Sequence, residues 1–176
     1  MMKNERRYPV GIQTFSEIIR GGWVYVDKTD LMWRMTQLSK YIFLSRPRRF
    51  GKSLLSSTLR SFFEGKKELF EGLKVMQLEQ EWEDYPVLHL DLSLAKSQED
   101  ATALRHALSL LVEPYERIFG SNPSELTPGQ KLKGVICRAC EQTGKQVAVI
   151  IDEYDAPLLE VLHEEEDLPQ FRKVMQ

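Results

Sequence analysis

A chain of 176 residues with 42% hydrophobic and 28% charged side chains has the composition of a folded, soluble domain with a real core. Its 24 basic and 26 acidic side chains leave a formal charge of -2, which excludes a global field drawing the chain to nucleic acid or acidic membranes. No apolar run approaches the roughly 18 residues of a membrane helix, and Met1 to Arg7 leads into no apolar signal core, so the expected location is cytoplasmic.

Residues 8–38 read as two short helices around a linker. Thr14-Phe15-Ser16-Glu17 has capping-box spacing, and Gly21-Gly22 ends the first pattern. The second begins near Asp27-Lys28-Thr29-Asp30 and places Leu31, Met35 and Leu38 at helical intervals. Residues 1–38 are therefore expected to form an N-terminal helical arm, and 39–176 a core domain. Tyr41-Ile42-Phe43-Leu44 is a short apolar run of the kind that forms a buried parallel strand. It runs directly into Arg46-Pro47-Arg48-Arg49-Phe50-Gly51-Lys52-Ser53. Leu54, Leu55, Leu59, Phe62 and Phe63 then recur at helical spacing up to Gly65. Strand, loop and helix follow one another as a phosphate-binding loop requires.

Two further runs, Val87 to Leu92 and Val147 to Ile151, are bounded by breakers and rich in β-formers. Between them a helix is expected from about Asp100 to Phe119, with Leu104, Leu108, Leu111, Tyr115 and Ile118 on one stripe and a bend at Pro114. A shorter helix covers about 130–142. Cys137 and Cys140 lie on it with no second pair to complete a zinc site, so they read as reduced structural thiols. Pro157 to His163 reads as a helix, Glu164 to Asp167 as an acidic break, and Leu168 onward as a helix cut at Gln176. Alternating strands and helices imply parallel pairing through right-handed crossovers, hence an α/β fold, a three-layer α/β/α sandwich with a mainly parallel sheet. Three visible strands make a thin sheet, so further strands are expected in a longer natural protein.

The third run carries Asp152-Glu153 to the carboxyl edge of a buried strand, where open α/β sheets bind ligands. Asp152 can hold a magnesium ion beside the Ser53 hydroxyl, and Glu153 can polarise the attacking water. Lys52 would set its ammonium between terminal phosphates, while backbone N–H groups around Gly51 and the following helix start favour anions. The generic pattern asks for glycine where this chain has Arg46. Arg46, Arg48 and Arg49 either supplement the anion pocket through bidentate contacts or form a solvated basic loop. Pro47 fixes its own φ and disfavours helix at Arg46, which holds the loop open without glycine. Asp91, expected on the same sheet edge, is a weaker site candidate, and Asp155 reads as an exposed loop carboxylate or an orienting partner of Glu153.

Four segments together resemble the bacterial AAA-ATPase-like proteins: Gly11 to Phe15, Tyr25 to Thr29, Phe43 to Leu55 and Ile151 to Leu158. The Ser-Arg-Pro-Arg-Arg-Phe-Gly-Lys-Ser loop is specific to that resemblance, in which an arginine at position 46 is expected. The likeness implies a P-loop ATPase region, near the additional-strand, catalytic-glutamate ATPases, often fused to a C-terminal PD-(D/E)xK nuclease-like domain. It implies ATP and Mg2+ as ligands, with Arg46 through Leu54 around the nucleotide. It also suggests that the segment at Tyr25 closes over adenine, the alternative being simple packing of the arm. The expected activity is magnesium-dependent ATP hydrolysis regulating or powering an attached effector domain. Alternatives are a switch that binds nucleotide without turnover, or a small-molecule P-loop kinase. Direct DNA binding by residues 1–176 has only the arginine cluster behind it and is not expected.

Overall fold

The computed structural model describes residues 7–45, 47, 49–96, 98–159, 161–162 and 168–175. They fall into two compact units, 1–85 and 86–176.

The first unit holds α1 (Phe15–Arg20), α2 (Thr29–Leu38) and α3 (Lys52–Phe63), followed by 3₁₀ turns at Lys67–Phe70 and Lys74–Gln77. The expected arm therefore belongs to the same compact unit as the loop and its helix. Helical spacing buries Phe15 and Ile18 of α1 and Thr29 and Met32 of α2. Phe15 and Met32 join Phe62, Leu69, Phe70 and Val75 in an aromatic-rich core. Phe70 is fully buried and has Phe15 at 4.8 Å and Trp82 at 5.2 Å between ring centroids. Burying such a ring contributes about 1.5–3 kcal/mol from its area alone. α3 also turns a polar face inward: Ser56, Thr58 and Ser61 are buried. Their hydroxyls donate back to the carbonyls of Lys52, Leu54 and Ser57, four residues earlier, so the buried oxygens are satisfied within the helix.

Two expectations in this unit are corrected. The Thr14 to Glu17 box does not form. Thr14 is the N-cap, but its side chain caps nothing, and the Phe15 N–H donates to Ser57 Oγ of α3 at 3.0 Å. The Glu17 N–H, the donor the box would use, goes to the Thr14 carbonyl at 3.1 Å. Tyr41 to Leu44 carries no strand, and Tyr41 and Phe43 are 83% and 70% exposed. A short apolar run becomes a strand only where a neighbour takes its backbone hydrogen bonds, and the sheet among the described residues has two strands, both farther along the chain.

The second unit holds β1 (Val87–Asp91), α4 (Ala101–Phe119), α5 (Pro128–Thr143), β2 (Ala148–Asp152), α6 (Ala156–Leu159) and α7 (Leu168–Met175). This is a mixed helix and strand arrangement compatible with an α/β fold. β1 and β2 pair in parallel, with Leu88 opposite Val149 and Asp91 opposite Asp152. Leu88 is fully buried against Val112 of α4 and Val135 of α5. On the outer side of β1, the Tyr115 hydroxyl accepts from His89 N–H at 2.8 Å and donates to His89 O at 2.9 Å. One side chain from α4 thus satisfies the backbone groups that an edge strand would leave open.

Local chemistry starts the helices of this unit. Asp100 accepts from the N–H groups of Thr102 and Ala103, both at 2.7 Å. Thr127 and Gln130 form a reciprocal capping box with Pro128 at the first helical position. Gly144 ends α5 at φ 69, a left-handed conformation that glycine adopts without steric cost. Pro114 lies inside α4 on its exposed side. Cys137 and Cys140 are free, and both are exposed, so they do not pack as structural thiols. α6 ends at Leu159, before the expected His163. The acidic stretch 164–167 lies outside the described residues. α7 buries Phe171 in a cluster with Leu104 and Val161.

Candidate functional site

The loop helix begins at a glycine that its geometry demands. Gly51 is the N-cap of α3 at φ 74, ψ 27. A Cβ there would meet no atom within 4 Å, so glycine serves the backbone angle and not a tight space. Arg49 also has a positive φ, 68°, an uncommon and costly conformation for a residue with a side chain. Two left-handed residues on either side of Phe50 turn the chain abruptly into α3. The first intrahelical bond runs from Leu55 N–H to Gly51 O at 3.0 Å. The N–H groups of Lys52, Ser53 and Leu54 consequently have no intrahelical acceptor and point out of the helix start. With the positive end of the helix dipole, they make an arrangement suited to phosphate, and Lys52 and Ser53 stand in its first turn. Pro47, Arg49 and Phe50 are exposed, Phe50 at 64%, while Lys52, Ser53 and Leu54 are half-buried. Arg46 and Arg48 lie outside the described residues.

The carboxylates sit at the end of β2 in the second unit. Asp152 is the last residue of the strand and stands in register with Asp91, the last residue of β1. Both strands therefore present an aspartate at their carboxyl ends. Asp91 already has a local task, accepting from Ser93 N–H at 2.9 Å to start the 3₁₀ turn Leu92–Ala95. Asp152 accepts the Glu153 N–H on Oδ1 at 3.0 Å. Glu153 has φ 50, so the chain reverses there and its side chain leaves the strand's alternation. Asp155 follows, its carbonyl accepting from Leu158 and Leu159 N–H as α6 starts. Among the described residues no three His, Cys, Asp or Glu side chains gather as a metal cluster. Magnesium beside phosphates needs only one or two protein oxygen ligands, and the Ser53 hydroxyl and the Asp152 carboxylate are each an oxygen donor of that kind.

Tyr25 is half-buried, edge-on to Phe15 at 5.3 Å and beside the Thr58 hydroxyl of α3. Burial raises its hydroxyl above the usual tyrosine range; the Thr58 hydroxyl opposes this and the Asp27 charge adds to it. Asp27 is a heavily bonded carboxylate of the first unit. Its Oδ1 accepts from Thr29 N–H at 2.9 Å and from Thr29 Oγ1 at 2.7 Å, and its Oδ2 accepts from Lys74 N–H at 2.8 Å. Thr29 Oγ1 in turn accepts from Val75 N–H at 3.1 Å. Partial burial pushes the Asp27 carboxyl up, but these donors outweigh it and the net shift is downward. Sequence reading passed over Ser57, Thr58 and the structural work of Asp27 and Thr29. An Asp followed two residues later by Thr at a helix start is the Asx-turn signal that marks the latter pair.

Comparison with known proteins identifies the group to which these segments belong. The family described as "Predicted AAA-ATPase" matches residues 9–176, and the chain is a member of it. An uncharacterized protein in the vnfD 5′ region of Azotobacter chroococcum mcd 1 is 34% identical over 160 residues. That alignment covers 90% of this chain and 31% of the relative, so the chain spans about a third of the relative's length. No solved structure matches. No helix among the described residues is long and apolar enough to cross a membrane.

Proposed function

We propose that the chain binds ATP with Mg2+ and hydrolyses it, and that Lys52, Ser53, Asp152 and Glu153 serve this reaction. The observation that carries this reading is the start of α3: a left-handed Gly51, three outward N–H groups and Lys52-Ser53 in the first turn of a chain from a predicted AAA-ATPase family. The exposed Arg49, with Arg46 and Arg48, supplements that anion site, and Pro47, Phe50 and Leu54 shape it. Lys52 is assigned to the terminal phosphates, Ser53 and Asp152 to the metal, and Glu153 to the attacking water. The metal's contribution is to neutralise phosphate charge. The protein's share is positioning: backbone donors fix the phosphates, and Glu153 takes the proton of the water. Turnover would regulate or power an effector domain in a longer polypeptide.

The test is Mg2+-dependent ATP binding and phosphate release. Lys52→Ala is expected to weaken ATP binding about 10- to 100-fold, the worth of a charge-assisted contact. Glu153→Gln is expected to leave binding intact and lower turnover by about 10²- to 10⁴-fold. A folded wild-type chain that binds no Mg-ATP sinks the proposal. Binding without any phosphate release removes Glu153's role and leaves a nucleotide-dependent switch.

A further inference from the structure

We infer that the N-terminal segment from Gln13 to Tyr25 is a positioning element for the phosphate-binding turn, gripping α3 through Ser57 and Thr58 and thereby setting where Lys52 and Ser53 stand. The inference rests on the nucleotide-binding reading above and replaces a base contact by Tyr25 with an indirect role. Three observations carry it. Ser57 Oγ accepts the Phe15 N–H at 3.0 Å, and its own proton faces two carbonyls, Gln13 O at 3.2 Å and Leu54 O at 2.9 Å. One hydroxyl thus stands between the arm's backbone and the first turns of α3. Tyr25 lies beside the neighbouring hydroxyl, Thr58, whose proton goes to the same Leu54 carbonyl at 2.7 Å. Leu54 is the third residue of α3, one of those whose N–H points out at the helix start. The arm is itself held from behind. Phe15 is fully buried against Tyr25 and Phe70, and Asp27 and Thr29 tie the following residues to Lys74 and Val75.

Both hydroxyls grip α3 between the phosphate turn and the aromatic core, and a helix held there moves its first turn as a rigid body. Tyr25 and Ser57 are positioning residues, and their removal should weaken phosphate binding whatever base the ligand carries. A tyrosine stacked on adenine would behave differently, since its loss would be felt only by ligands with a base.

The experiment measures affinity of the full chain for Mg-ATP and for Mg-tripolyphosphate, which has no base, in wild type, Tyr25→Phe, Ser57→Ala and Ser57→Thr. Amide exchange of residues 55–58, the first hydrogen-bonded amides of α3, and of 59–63 is followed without ligand. Tyr25→Phe keeps the ring in the core, and Ser57→Thr keeps the hydroxyl. The expected result is an equal loss of about three- to tenfold for both ligands in Tyr25→Phe and Ser57→Ala, recovery in Ser57→Thr, and faster exchange at 55–58 with 59–63 unchanged. A loss confined to Mg-ATP assigns Tyr25 to the base and overturns the inference. Wild-type affinity and exchange in both variants overturns it as well. Faster exchange at 55–58 in a chain whose wild type binds neither ligand supports the grip on α3 and sinks the nucleotide reading instead.

Discussion

The two compact units solve the same problem with different materials. The first has an aromatic core, with Phe15, Phe62, Phe70 and Trp82 meeting at centroid distances of 4.8 to 6.2 Å, and many of its connections are side chain to backbone. The second is built on an aliphatic layer, Leu88 against Val112 and Val135, and its order comes from two parallel strands and well-capped helices. Regular elements with their own caps specify themselves locally, whereas short helices and 3₁₀ turns depend on partners far along the chain. The loop helix belongs to the first kind of construction and the Asp152-Glu153 turn to the second.

The largest expected effect breaks this contrast at its centre. Phe70→Ala should cost the first unit about 3–5 kcal/mol, and Leu88→Ala should cost the second about 2–5 kcal/mol. All three tryptophans, Trp23, Trp33 and Trp82, lie within residues 1–85, so their emission during urea unfolding reads the first unit. Amide exchange of 87–91 reads the second. Equal losses in both readouts from Phe70→Ala alone would show that the two cores unfold as one, and the contrast would then describe composition only.

A smaller effect sharpens it. Tyr115 and Tyr25 are both half-buried tyrosines, but the Tyr115 hydroxyl is bonded to the backbone of a strand and the Tyr25 hydroxyl lies beside a side chain, Thr58. Tyr115→Phe would take one bond each from the N–H and the C=O of His89, at about 1–3 kcal/mol, read by urea unfolding followed by circular dichroism. Tyr25→Phe leaves Thr58 still donating to Leu54 O, so its stability cost should be lower. If Tyr25→Phe proves the more destabilising, the hydroxyl ties of the first unit contribute more to its stability than its aromatic core suggests.

The same contrast explains what was legible in the sequence. α3, α4 and α5 announced themselves by apolar spacing, and β1 and β2 by β-rich runs between breakers. The parallel pairing, with Asp91 and Asp152 at one edge, followed from their alternation with helices. The 3₁₀ turns at 67–70 and 74–77 have no period to read, and they supply Leu69, Phe70 and Val75 to the core. The inward hydroxyls of α3 escaped because apolar counting treats Ser56, Thr58 and Ser61 as a solvent face. Two capping patterns of equal spacing had opposite outcomes. Thr127-x-x-Gln130 closed as a local box, whereas at Thr14-x-x-Glu17 the Glu17 N–H goes to the Thr14 carbonyl and not to its side chain. At the site, the Gly-Lys-Ser turn was legible as a helix start, and the left-handed Glu153 was not, since φ is fixed by the loop that follows and not by the residue.

The smallest expected effect concerns pH. The Asp27 carboxylate is held below its ordinary value because donors from Thr29 and Lys74 outweigh the effect of partial burial. A carboxyl with a lowered folded-state pKa stabilises the fold fully above its unfolded value, about 3.9, and loses that contribution as pH falls through the lower folded value. Asp27→Asn removes the titration. Wild type should therefore exceed Asp27→Asn in stability by a constant margin down to about pH 5, and the margin should shrink below about pH 4. The side chain is half-buried and still reached by solvent, so screening holds the titrating part of that margin to a few tenths of a kcal/mol to about 1 kcal/mol. The Thr127-Gln130 box of α5 has no titratable member, and Gln130→Ala should give a loss that does not vary over the same range. Urea midpoints of both variants against wild type at pH 6, 4.5 and 3.5 measure this. A margin for Asp27→Asn that stays flat to pH 3.5 would mean that Thr29 and Lys74 bind the neutral oxygen as well as the charged one, and that the tie at the start of α2 is one of shape.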